Sequence, residues 1–94
     1  MNEAQITKTA TNALTDLVDT SRTRAEQCRA NGMDAQAKTL GHIAQTLDGA
    51  RTRLVEDGSE YLDAAWAFID AGRKMLAAMA HARPMLDRIE RTHS

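Results

Sequence analysis

The chain has 94 residues, a formal net charge of −1 and 27% charged residues, which fits one domain covering residues 1–94. The near-neutral charge excludes a nucleic-acid mimic, which needs excess acid, and a protein held to DNA chiefly by phosphate contacts, which needs a basic face. The single cysteine permits no intramolecular disulfide, there is no apolar signal core, and no apolar run approaches the ~18 residues of a membrane span. We therefore expect a cytoplasmic protein, in a bacterium or an infected host cell.

Turn signals divide the chain into helical segments. They are Asn31-Gly32, Asp57-Gly58-Ser59 and Pro84. No segment between them shows a strand pattern. We predict an all-α fold: an elongated antiparallel three-helix bundle or helical hairpin, with a kink or a short fourth helix after Pro84.

The first predicted helix covers residues 3–30. Asn2 is its N-cap, and Gln5 stands at the capping-box position. The apolar stripe of this helix weakens in its second half, because Ser21 and Arg24 fall on the face that should meet a core. The second half of this helix is therefore expected to bury little apolar surface against the other helices.

The second predicted helix covers residues 35–56, with Asp34 as its cap. Its apolar positions alternate in steps of three and four, the rule for a packed amphipathic helix. They are Leu40, Ile43, Leu47, Ala50 and Leu54. Arg51 falls on the same stripe.

The third predicted helix covers residues 60–82, after a cap at Ser59. It carries two apolar seams, which together span roughly 200° of the circumference against ~100° for an ordinary surface helix. The seams are Tyr61, Ala65, Phe68, Gly72, Met75 and Met79, and Leu62, Ile69, Leu76 and Ala80 with Trp66 beyond them. The apolar pattern continues after Pro84, so residues 84–91 are predicted to form a C-terminal extension.

A helix with so much apolar surface needs two neighbours, and one of them can belong to another subunit. A first helix of ~42 Å also suits an elongated hairpin, since a compact globule of this size has a radius of gyration of only ~12 Å. Such hairpins bury their leftover apolar faces by oligomerising. We expect a homo-oligomer that also binds another protein, through this candidate interface: Tyr61, Leu62, Trp66, Phe68, Ile69, Met75, Leu76 and Met79.

No catalytic constellation, metal site or cofactor motif is recognisable. The three histidines and the cysteine are scattered, and none of them form a ligand pair at helical spacing. His42 falls opposite the apolar seam of its helix and is expected to be solvated. Cys28 is interpreted as a small apolar residue. We therefore predict that the protein is not an enzyme.

Four arginines lie on or near the apolar seams: Arg24, Arg51, Arg73 and Arg83. The simpler interpretation is that their stems cover apolar surface while their charged ends reach water or nearby acids. The alternative is that they line an anion or nucleotide pocket between subunits, because guanidinium groups bind phosphate in a bidentate manner.

One short stretch resembles a known family. Tyr61-Leu62, Ile69-Asp70-Ala71-Gly72 and Leu76 look somewhat like the closing helix of the helical-hairpin proteins that phages use to sequester cyclic-nucleotide immune signals. The likeness covers less than a fifth of the chain. Those proteins carry an N-terminal aromatic segment that contacts the ligand, and the first predicted helix here has no aromatic residue, so membership is not inferred.

The predicted function is a non-enzymatic protein-binding regulator or inhibitor, of a kind that viruses and plasmids also encode, acting through an oligomeric helical bundle. The first alternative is an oligomer that sequesters an anionic small molecule, such as a cyclic nucleotide, in the arginine-lined pockets. The second is a structural or assembly subunit. DNA binding by a helix-turn-helix is disfavoured, because the helices are too long and the second one lacks a basic start.

Overall fold

The computed structural model describes residues 2–93, with side chains for residues 2–79. Three α-helices and one 3-10 helix make up this part of the chain. Their bounds are α1 at Glu3–Ala30, α2 at Asp34–Asp57, the 3-10 helix at Gly58–Tyr61 and α3 at Leu62–His93. No strand occurs between residues 2 and 93, which confirms the all-α prediction.

Helix α1 begins with the predicted capping box. The Gln5 backbone N–H donates to Asn2 Oδ1 at 2.9 Å, and the Asn2 N–H donates to Gln5 Oε1 at 3.4 Å. Each side chain thus satisfies one of the N–H groups that the first turn leaves without a partner. The first residue of α1 is the one that the sequence predicts.

Replacing Asn2 by alanine tests this cap. We expect Asn2→Ala to lower the free energy of unfolding by ~1 kcal/mol, which lowers Tm by ~4–8 °C in a domain of this size. Asn12→Ala, in the exposed interior of the same helix, should leave Tm unchanged or raise it slightly, because alanine is the better helix former. Thermal denaturation followed by circular dichroism measures both variants. Equal Tm changes in the two would show that the cap contributes nothing.

The turn between α1 and α2 closes α1 with two backbone hydrogen bonds. The Met33 N–H donates to the Cys28 carbonyl at 2.8 Å, and the Gly32 N–H donates to the Arg29 carbonyl at 3.2 Å. This pattern requires a left-handed residue between the helix and its exit, and Gly32 supplies it with φ of 74°. The turn predicted from Asn31-Gly32 therefore lies where the sequence indicates.

Helix α2 differs slightly from its predicted bounds. Met33 occupies the N-cap position without a side-chain hydrogen bond, and Asp34 lies in the first turn. Asp34 is therefore not the cap, although its negative charge is well placed near the positive end of the helix. At the other end, Gly58 with φ of 64° leads into the 3-10 helix. The α-helix that follows starts at Leu62 instead of residue 60.

Helix α3 runs parallel to α1 and antiparallel to α2. Along α3, Gly72 lies beside Leu47 and Leu17, and Leu76 lies further on in a cluster with Leu40 and Ala25. From Gly72 to Leu76, the neighbouring residue numbers therefore increase in α1, from 17 to 25, and decrease in α2, from 47 to 40. The principal extents of 56 × 20 × 15 Å agree with the predicted elongated shape.

The main core joins all three helices. Its buried members are Ala10, Leu14, Val18, Ile43, Leu47, Ala50, Leu54, Ala65 and Ile69. Ser21 is also fully buried, and its hydroxyl donates to the Leu17 carbonyl at 2.7 Å. A hydroxyl satisfied within its own helix can be buried without a lost hydrogen bond. This explains how the polar second half of α1 packs inward.

Pro84 does not end the third helix. Of the two predicted alternatives after Pro84, a kink or a short fourth helix, the separate helix does not occur, since α3 continues from Leu62 to His93. A proline removes one N–H donor from the helical ladder. The helix has 32 residues and continues across Pro84, although a proline in a helix interior costs ~3 kcal/mol or more.

Candidate functional site: the outer stripe of helix α3

The predicted interface residues do not form one exposed surface. Ile69 is 0% exposed and Leu76 is 5% exposed, so both belong to the core of the single chain. Neither residue is accessible to a partner, because α1 and α2 already cover that side of α3. Five others, namely Tyr61, Leu62, Trp66, Phe68 and Met79, are half-buried at the edge of the core. Met75, at 43% exposed, is the most open of the set.

The core-facing side of α3 is a regular stripe, here called the inner stripe. Its members recur in steps of three and four, as in a coiled coil. They are Leu62, Ala65, Ile69, Gly72, Leu76 and Met79. Gly72 lies where α3 packs tightly against α2: a Cβ on it would lie 3.2 Å from two methyl carbons of Leu47. The absence of a side chain at Gly72 therefore permits this close packing.

A second apolar stripe, here called the outer stripe, lies beside the first. Its members are Ala64, Phe68, Ala71, Met75 and Ala78. Each of them directly precedes a residue of the inner stripe, so the two stripes are offset by about 100° around the helix. Ala71, Met75 and Ala78 are exposed, while Ala64 and Phe68 are half-buried. The chain thus covers the inner stripe of α3 and leaves the outer stripe open from Ala71 to Ala78.

Charged groups border the outer stripe. Near its start, the Arg53 guanidinium of α2 lies 5.3 Å from the centre of the Tyr61 ring, and its Nε donates to Asp57 Oδ2 at 3.1 Å. Further along, Lys74 Nζ lies 3.0 Å from Asp70 Oδ2. An apolar strip with a charged, solvated rim is the usual composition of a protein-binding surface.

Sequence reasoning found part of this stripe and missed part. Phe68 and Met75 were in the predicted interface, but Ala64, Ala71 and Ala78 were not. The signal was present, because the five residues repeat in steps of four, three, four and three. The spacing alone does not identify the surface, because alanine on its own is a weak marker of an interface.

Two of the four candidate anion-binding arginines, Arg24 and Arg51, do not converge within the described part of the chain. Arg24 donates through Nη1 to the Leu76 carbonyl at 3.1 Å, and Arg51 donates to Thr15 Oγ1 at 3.3 Å and to Asp48. Positions 15 and 24 of one helix are ~13 Å apart along its axis. Arg73 is exposed, and the side chain of Arg83 lies outside the described residues. Arg24 and Arg51 each bind other groups of the chain itself, and within residues 2–79 they form no shared pocket.

Other chemistry is sparse in residues 2–79. His42 is exposed, as predicted, and Cys28 is half-buried. No group of three or more His, Cys, Asp or Glu side chains within this range could hold a metal ion. Every buried side-chain nitrogen or oxygen there has a hydrogen-bond partner. No buried polar side chain in this range is therefore left unpaired for a ligand to bind.

Two shallow grooves lie between α1 and α2. One is lined by Lys8, Thr11, Asn12, Val55 and Ser59, among others. The other has mixed charge: it contains Arg22, Glu26, Arg29 and Asp48. Within it, Arg22 Nη2 lies 3.8 Å from Asp48 Oδ2. Both grooves are open to solvent, and neither offers a converging set of one charge.

Among the described residues, no helix is both long enough and apolar enough to cross a membrane. Comparison with protein-family models, with curated proteins and with solved structures finds no match to this chain. The resemblance of the segment at residues 61–76 to the phage sequestering proteins therefore has no support from these comparisons.

Proposed function

We propose that the chain is a non-enzymatic protein-binding regulator or inhibitor, acting in an oligomeric helical bundle, and that the outer stripe of α3 is its contact surface. The observation that carries this proposal is the exposure of Ala71, Met75 and Ala78 in line along one helix. A continuous apolar strip on a surface marks an interaction site more often than scattered single apolar residues do.

The contact that we propose is helix against helix. The spacing of the outer stripe is that of a seam which receives the side chains of a facing helix. The bundle that presents it is an elongated three-helix bundle, in which Pro84 kinks α3 by removing one backbone hydrogen bond. The arginine placement gives the sequestering alternative no comparable support.

Site-specific photocrosslinking in the producing cells tests this function. A photoreactive amino acid at Ala71, on the outer stripe, should yield a covalent adduct with a protein. The same amino acid at Lys38, an exposed position of α2, should yield none. The adduct should disappear when Met75→Asp is introduced into the Ala71 derivative, because a carboxylate in the stripe would be buried without a partner.

The regulatory part of the proposal needs one more measurement. A protein found in the Ala71 adduct is assayed for its own activity with the wild-type chain and with the Met75→Asp chain. We expect its activity to change with the first and not with the second. Adducts that form equally from both positions, or from neither, would contradict the proposed contact surface.

A further inference from the structure

Helix α3 is held unevenly along the part whose side chains are described. Residues 62–69 pack on the main core through two buried and three half-buried side chains, which are Ala65 and Ile69, and Leu62, Trp66 and Phe68. Residues 72–79, here called the strap segment, contribute one buried side chain, Leu76, and one half-buried side chain, Met79. The strap segment is therefore held by much less apolar surface than residues 62–69.

The strap segment covers a small apolar cluster near the turn end of the α1–α2 hairpin. The buried members of this cluster are Ala25 of α1, Leu40 of α2 and Leu76 of the strap segment, and Cys28 packs beside them at half burial. Ala25 and Leu40 are only 5% and 2% exposed. Movement of Leu76 away from them would uncover apolar surface that the closed chain hides.

One hydrogen bond ties the strap segment to the hairpin. Arg24 Nη1 of α1 donates to the main-chain carbonyl of Leu76 at 3.1 Å. Within residues 2–79, it is the one hydrogen bond or ion pair that joins the strap segment to α1 or α2, since Lys74 pairs with Asp70 of α3 itself. A charged donor makes a stronger hydrogen bond than a neutral one, so this contact is well suited to hold the segment closed.

Opening of the strap segment would break few interactions. Leu76 would leave its cluster and the Arg24 hydrogen bond would be lost, but the backbone hydrogen bonds of an α-helix lie within the helix and can persist. A segment with few buried apolar contacts opens at a lower free energy than the whole domain unfolds. Gly72 lies at the start of the segment and carries no side chain that would resist a change of backbone direction.

We propose that the strap segment opens from the α1–α2 hairpin as a helix hinged at Gly72, while residues 62–69 stay packed, and that the Arg24 hydrogen bond to Leu76 holds it closed. Opening uncovers Ala25 and Leu40 without disturbing the main core. The inference goes beyond the proposed function, which concerns the outer stripe, because the surface uncovered here lies beneath the inner stripe.

Two buried cysteine reporters in the whole chain measure the opening, both in a Cys28→Ala background. Ala25→Cys lies under the strap segment, and Ala65→Cys lies in the main core. The rate of reaction with iodoacetamide reports the population of the open form when closing is faster than the reaction. We expect Ala25→Cys to react about tenfold faster or more. Its rate should also depend less on urea, because local opening exposes less surface than unfolding.

Variants identify what controls each rate. Arg24→Met keeps an apolar stem but removes the donor, and it should raise the rate at Ala25→Cys about tenfold, the factor for one hydrogen bond to a charged group. Arg22→Met is the matched control, because that exposed arginine lies 3.8 Å from Asp48 and away from the strap segment; it should change the rate by less than about twofold.

A main-core variant separates local opening from global unfolding. Ile69→Val should raise the rate at Ala65→Cys about fivefold and leave the rate at Ala25→Cys unchanged, because Ile69 stays packed when only the strap segment opens. Circular dichroism confirms that each variant is folded. If Arg24→Met does not fold, the comparison of the two reporters and the effect of Ile69→Val still decide.

Three results would overturn the inference. The first is that both reporters react at the same rate with the same dependence on urea. The second is that Ile69→Val accelerates both reporters equally, since global unfolding would then be the only route to Ala25. The third is that a folded Arg24→Met changes the rate at Ala25→Cys no more than Arg22→Met does.

Discussion

Ile69→Asp is expected to unfold the protein at room temperature. Ile69 is 0% exposed in the main core, so the change removes buried apolar surface worth ~1.5–3 kcal/mol. It also places a carboxyl group where no partner is available, at a further cost of several kcal/mol. The sum approaches the whole stability of a domain of this length, ~5–14 kcal/mol. Far-ultraviolet circular dichroism and urea titration should show lost helicity or a midpoint near zero denaturant.

Met75→Asp is the matched control, because it makes the same chemical change on the same helix, six positions further on. Met75 is 43% exposed, so a carboxylate there stays hydrated. Surface substitutions usually alter the free energy of unfolding by no more than ~0.5 kcal/mol, and we expect an intact helical spectrum. If Met75→Asp unfolds the chain and Ile69→Asp does not, the inner and outer stripes have been assigned to the wrong sides of α3.

Gly72→Leu is expected to lower the free energy of unfolding by ~2 kcal/mol or more. Gly72 is buried, and a Cβ there would already lie 3.2 Å from two methyl carbons of Leu47 and 3.6 Å from one of Leu17. A whole leucine side chain would force α3 away from α2. The greater helix propensity of leucine, worth ~0.8 kcal/mol, offsets only part of this cost. Urea denaturation gives the difference directly.

Two further variants distinguish steric crowding at position 72 from the general effect of replacing a helical glycine on the free energy of unfolding. Gly49→Leu, where a Cβ meets nothing within 4 Å, should be neutral or stabilising. Leu47→Ala alone should cost ~2–5 kcal/mol, but in combination with Gly72→Leu it makes room for the new side chain. The double variant should therefore be more stable than the sum of the single effects by ~0.5–3 kcal/mol. Strict additivity would show that Leu47 and position 72 do not meet.

Local signals in the sequence predicted much of the fold. Asn2 with Gln5 fixes the start of α1, and Gly32 fixes its end, because each depends on residues within one turn. The regular apolar spacing of α2 likewise predicted which of its residues are buried, from Leu40 to Leu54. These features depend on short-range geometry, which a single sequence expresses well.

Other features depend on tertiary contacts and were not predictable in the same way. Ser21 reads as a polar interruption until its complete burial in the folded chain is known. Arg24 reads as a candidate ligand group until its contact with the Leu76 carbonyl of another helix is known. Pro84 reads as a helix boundary, since the rule for proline is local, while α3 continues beyond it.

The candidate site shows the same division. The sequence indicated that α3 has more apolar surface than one neighbour can cover, and it named Phe68 and Met75. It could not show which of two adjacent stripes faces the core, because the stripes have the same spacing and lie only about 100° apart. Burial of Ile69 and exposure of Met75 resolve this, and only then do Ala71 and Ala78 become part of a surface.

Native mass spectrometry of the protein purified from its producing cells tests most directly whether the outer stripe is a protein-binding surface. The wild type and Met75→Asp are measured side by side. We predict that the wild type carries additional polypeptide mass, from a second copy or from another protein, and that Met75→Asp appears as the bare chain of 10.3 kDa. A wild type that appears as the bare chain, or that carries only the mass of a small molecule, would contradict the account.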